Sequence, residues 1–106
     1  MSQQNIQNLT DREVAILMAV IEGYIENGTP ISSSYLEMNC NLNVSSATIR
    51  NGMALLEEKG FLTHLHTSGG RVPTDLGYRF YVNSIKSIRS LDKSVTKDIE
   101  HELLTI

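Results

Sequence analysis

The run Val44-Ser-Ser-Ala-Thr-Ile-Arg-Asn51 gathers small hydroxyl side chains, one guanidinium and one carboxamide within eight residues. These groups recognise rather than react: Arg offers a fork of donors to guanine or phosphate, and Asn does the same for adenine or phosphate. Ser45, Ser46, Thr48, Arg50 and Asn51 are therefore candidate contacts to duplex DNA, with Ser45 equally suited to capping a helix. Further along, Thr67, Ser68 and Arg71 surround Gly69-Gly70, where hydroxyls and a guanidinium could donate to phosphate or enter a narrow minor groove; Arg79 follows eight residues after Arg71. His64 and His66 alternate along one stretch, but with Cys40 they make three ligands where a structural zinc takes four. No Ser-His-Asp set, phosphate loop or carboxylate pair stands out, so neither an enzyme nor a cofactor or metal is expected.

The elements that must position these groups follow from spacing. Thr10-Asp-Arg-Glu13 is a capping box, with Glu three residues after the capping Thr, and it opens a helix to about Asn27 that Gly28 closes. Val14, Leu17, Ile21, Tyr24 and Ile25 are its expected inner face. Thr29-Pro30-Ile31 reads as an extended connector, and Ser32, Ser33 or Ser34 caps a short second helix to about Met38. After the turn Asn39–Asn43, Ser45 caps a third helix with Ile49, Met53 and Leu56 inward and Gly60 as its stop. Phe61–His66 and Arg71-Val72-Pro73 then form a hairpin across Thr67-Ser-Gly-Gly70. Thr74 and Asp75 cap a fourth helix, with Tyr78, Tyr81, Val82 and Ile85 on one side. Three helices, a two-stranded wing and a further helix predict a mainly α winged helix-turn-helix over residues 9–83. Residues 1–8 read as a disordered N-terminus, and 84–106 as a linker helix toward a dimerisation or regulatory domain.

Bulk properties allow one domain: 106 residues, 41% apolar and 20% charged. The lone Cys40 excludes an intrachain disulfide, and the N-terminus has no basic or apolar signal region, so a cytoplasmic protein without a membrane span is expected. The net charge of −3 opposes nucleic acid, yet segments 38–56 and 59–74 hold Arg50, Lys59, Arg71 and two His without an acid. Such a local absence is what a screened, short-range attraction to phosphate requires.

Leu9-Thr-Asp-Arg-Glu13, Val44–Asn51 with Leu56-Glu57, His66-Thr-Ser-Gly-Gly-Arg71 and Pro73-Thr-Asp-Leu-Gly-Tyr-Arg79 together resemble the N-terminal domain of the HrcA-type heat-inducible transcription repressors of bacteria, over residues 9–85. The resemblance implies a DNA-binding domain of a dimeric repressor that binds an inverted-repeat operator upstream of chaperone operons, works with the GroEL chaperonin, and continues past Ser84 into dimerisation and regulatory regions. A protein-interaction module, or the DNA-binding part of a small-molecule-sensing repressor, are the alternative readings. The chain departs from the family pattern at Gly52, where an acid is usual, at Ser34, Met38 and Asn39, where bases are usual, and at Gly69, where Ala is usual. Gly52 is expected to cost the third helix about 1 kcal/mol relative to Ala. Gly69-Gly70 is expected to loosen the wing tip.

Overall fold

The capping box of Thr10 and Glu13 forms as the sequence predicts and opens α1 (Asp11–Asn27). The Glu13 N–H donates to Thr10 Oγ1 at 3.1 Å, and the Thr10 N–H donates to Glu13 Oε1 at 2.9 Å. These contacts belong to a computed structural model, which describes residues 9–65 and 69–87. Gly28 ends α1 at φ 72°, a left-handed conformation that glycine adopts without a Cβ penalty.

Ser32 caps α2 (Ser33–Asn39) by accepting the Tyr35 N–H at 3.0 Å. The turn that follows contains Asn43 at φ 60°, a conformation asparagine tolerates better than most residues. Ser45 then caps α3 (Ser46–Glu58), and Gly60 turns the chain away at φ 89°. Strands β1 (Leu62–Thr63) and β2 (Val72–Pro73) pair antiparallel, with Leu62 opposite Pro73 and Thr63 opposite Val72. The ladder is shorter than the expected hairpin. Arg71, ahead of β2, instead exchanges two backbone hydrogen bonds with Ile31 of the α1–α2 connector, at 2.9 and 2.8 Å. The last described element, α4, covers 75–87. Thr74 caps it by accepting the Gly77 N–H at 3.1 Å while donating its hydroxyl to the Gly60 carbonyl. The helix runs without a break through Ser84 to Ser87, and the remainder of the expected linker lies outside the described residues, as does 1–8. Three helices, a two-stranded wing and α4 make up a winged helix-turn-helix.

Ile16, Leu17, Val20 and Ile21 of α1 meet Leu36 of α2, Ile49, Met53 and Leu56 of α3, and Phe61 and Leu62 in one apolar core. Each such side chain stabilises the fold by about 1.5 to 3 kcal/mol relative to exposure. The inward stripe of α1 is rotated from the expected one. Ile16 and Val20 are fully buried, Val14 and Tyr24 are half-buried, and Ile25 is 59% exposed. On α4, Leu76 and Phe80 join Tyr78 and Tyr81 against the core, Phe80 meeting Phe61 edge-on at 5.8 Å, whereas Val82 faces outward.

Two glycines act differently from expectation. A Cβ on Gly52 would lie 2.5 Å from Ile16 Cδ1, so the missing side chain admits the α1 core methyl, and this close packing opposes the propensity cost. Gly70 is buried against Pro30, with 2.9 Å between the position of a Cβ and the Pro30 backbone, so this end of the wing is seated on the connector rather than loosened. Gly69 beside it faces open space.

Candidate nucleic-acid interface

The outer face of α3 is set by its cap and its core anchor. Ser45 Oγ accepts the Thr48 N–H at 3.2 Å and lies 3.1 Å from Thr48 Oγ1, so both hydroxyls are engaged in starting the helix. With Ile49, Gly52, Met53 and Leu56 buried, Ala47, Arg50, Asn51, Ala54 and Leu55 are left exposed, while Ser46 and Thr48 are half-buried. Arg50 makes no hydrogen bond or ion pair with any described residue, and the alanines beside it keep the face slim.

Arg71 is oriented otherwise. Its Nε donates to Glu57 Oε1 at 2.7 Å and its Nη1 to the Gly69 carbonyl at 3.0 Å. The second oxygen of Glu57 lies 2.6 Å from His64 Nδ1. One carboxylate on α3 thus gathers a base from each side of the wing. Arg79 is exposed on α4 in a separate groove with Asp75, Tyr78 and Lys86, whose lining includes no α3 residue. Thr67, Ser68 and His66 lie outside the described residues.

The acid-free surround expected from counting along the chain does not survive folding. Glu37 of α2 accepts the Ser46 N–H at 3.0 Å, bringing a carboxylate to the first turn of α3, and Glu57 stands at the wing. Neither role has a local signature, because the partners are 9 and 14 residues apart. Glu13 was legible as a capping residue but not as a buried ion pair: its Oε1 also takes a hydrogen bond from Lys59 Nζ at 3.1 Å. Burial pushes the Glu13 carboxyl up, but the Thr10 N–H and the Lys59 ammonium more than offset this and hold it below the usual glutamate range.

Burial, with the Glu22 and Glu26 carboxylates, pushes the Cys40 thiol up and disfavours the reactive thiolate. Burial and then Tyr24 push the Tyr78 phenol up. Among the described residues no group of three or more His, Cys, Asp or Glu could hold a metal ion, and no helix is long and apolar enough to cross a membrane.

No family model matches the chain. It is 47% identical over 98 residues to the heat-inducible transcription repressor HrcA of Chloroflexus aurantiacus, covering 92% of this chain and 26% of that protein. It is 46% identical over 99 residues to HrcA of Roseiflexus castenholzii, and 45% identical over 97 residues to HrcA of Chlorobium chlorochromatii, each over 28% of the relative. The chain therefore spans about a quarter of the length of the curated relatives it matches. A crystal structure of a hypothetical protein superposes with a TM-score of 0.75 at 44% identity, over 77% of this chain and 26% of that one. The relatives are named as transcription repressors, and over nearly its whole length this chain is homologous to the N-terminal part of the heat-inducible transcription repressors of the HrcA family.

Proposed function

We propose that residues 9–83 are a sequence-specific DNA-binding module that inserts α3 into the major groove of one half of an inverted-repeat operator. The observation that carries this reading is the outer face of α3: exposed Arg50 and Asn51 flanked by alanines, on a helix capped by Ser45 and anchored through Ile49, Met53 and Leu56. Such a face fits a groove about 12 Å wide and offers it donors. Ser46 and Thr48 add polar atoms at its first turn, and Thr67, Ser68, Arg71 and Arg79 supply the outer phosphate contacts. The family relation extends the reading to a cytoplasmic heat-shock repressor that acts as a homodimer upstream of chaperone operons and works with the GroEL chaperonin, with 84–106 leading toward the dimerisation region. A single module holds one half-site weakly, because the second half-site gains from effective concentration in the dimer.

Arg50→Ala tests the reading. Titrated against a duplex carrying the inverted repeat, this variant is expected to lose about 1 to 3 kcal/mol of binding and to discriminate less between the repeat and a scrambled duplex. Unchanged binding by the variant would remove α3 from the recognition role. Failure of the wild-type chain to bind either duplex at low salt would favour the protein-interaction reading, which the net charge of −3 and the carboxylate of Glu37 support.

A further inference from the structure

Between the first turn of α1 and the outer flank of α3 runs an open groove of about 390 Å³, with Thr10, Arg12 and Glu13 on one wall, Thr48, Asn51 and Leu55 on the other, and Gly52 between them. Arg12 is exposed and forms no hydrogen bond or ion pair with any described residue, although acidic Asp11 and Glu13 flank it in sequence. Glu13 lines the groove but is only 5% exposed, and its charge is met by Lys59 while the Thr10 N–H also binds its Oε1. Among the described Lys and Arg residues, Lys59 and Arg71 are drawn into ion pairs with the body of the domain; Arg12 stands beside the proposed recognition face with its donors available.

We infer that this groove seats a stretch of DNA backbone and that Arg12 is its phosphate clamp, an inference resting on the DNA-binding reading above. The physical reason lies in dimensions. A helix with its side chains is about 10 to 12 Å across and nearly fills a major groove about 12 Å wide, so its flanks must meet the phosphate walls. The flank that carries Asn51 and Thr48 is the one facing Arg12. A guanidinium there can hold a phosphodiester with two parallel N–H donors, the Asn51 amide can add a third, and the exposed edge of Leu55 can lie against a sugar. Gly52 lies between the two walls, and its missing side chain lets α1 and α3 approach closely through Ile16. The Arg12 contact carries no base information; it fixes the register in which Arg50 meets the bases.

The test compares the wild-type chain with Arg12→Gln, Arg12→Lys and Arg50→Ala, each titrated against the inverted-repeat duplex and a scrambled duplex between about 50 and 200 mM salt. Arg12→Gln is expected to weaken both duplexes by a similar factor of about five to ten and to lower the slope of log affinity against log salt by about one. Arg12→Lys is expected to keep most of that slope, because the charge remains. Wild-type affinity and slope in Arg12→Gln would overturn the clamp, as would a loss confined to the inverted repeat. If Arg50→Ala abolishes discrimination while Arg12→Gln changes nothing, only the clamp falls. If the wild-type chain binds neither duplex, the clamp and the DNA-binding reading fall together.

Discussion

The two ends of α3 are held in contrasting ways. At the C-terminal end, Lys59 reaches the buried Glu13 of α1, Glu57 binds Arg71 and His64 of the wing, and the chain turns into Phe61 beneath α4. At the N-terminal end, Ser45 makes a local cap, and the long-range contact there is the hydrogen bond from the Ser46 N–H to exposed Glu37. Charged hydrogen bonds removed from water contribute about 1.5 to 3 kcal/mol, whereas exposed ones contribute little. The C-terminal end therefore ties α3 to the domain, and the N-terminal end carries the face proposed to meet DNA. Stability and the proposed recognition are divided along one helix of thirteen residues.

Three substitutions would break or sharpen that division. The largest effect is expected from Gly77→Ala, because a Cβ there would run into the Phe61 carbonyl just past the C-terminal end of α3. A backbone clash cannot be relieved by a side-chain rotation, so a loss of about 3 kcal/mol is expected in urea unfolding. Next comes Glu13→Ala, which removes the capping box and the bond to Lys59 and should cost about 2 kcal/mol at pH 7. Its pH dependence has a definite sign. Because the folded-state carboxyl titrates below the ordinary glutamate value, its stabilisation is complete above that value and is lost as pH falls through the folded one. The gap between wild type and Glu13→Ala should therefore narrow below about pH 4, and a constant gap would contradict the ion-pair assignment. The smallest change in stability is expected from Glu37→Ala, within about 0.5 kcal/mol, measured as the thermal midpoint. In DNA titration the same variant should bind a few-fold (about 2- to 5-fold) tighter at low salt, because a negative charge leaves the first turn of α3. A large stability loss in Glu37→Ala would erase the contrast between the ends.

Local chemistry made much of this legible. Thr10, Ser45, Gly28 and Gly60 mark helix ends through bonds to their near neighbours, and each sits where its residue type predicts. The α1 stripe was less determinate, because Val14-Leu17-Ile21-Tyr24-Ile25 and Ile16-Leu17-Val20-Ile21 both satisfy a 3.6-residue period. The choice between them belongs to the partners: α3 approaches through Gly52 and receives Ile16. Arg71 shows the same limit at the candidate site. Its position in a glycine-rich turn suggested an outward cation, and only folding places Glu57 opposite it. Gly70 reads as part of a turn and Gly77 only as one residue of the Pro73–Arg79 motif, while their requirement comes from Pro30 and Phe61, distant in sequence and adjacent in space.

The bridge between Ile31 and Arg71 has a bearing on how the domain is made. It joins the connector after α1 to a residue on the far side of α2 and α3, so a nascent chain that ends within β1 cannot form it. Contacts between α1, α2 and α3 can develop early, but the connector must wait with its Ile31 N–H and carbonyl solvated until Arg71 arrives. The loop it closes is long, so its entropic cost is met only when the wing docks. The wing therefore closes the connector as well as its own hairpin, and ties the segment after the N-terminal helix to the residue that precedes β2.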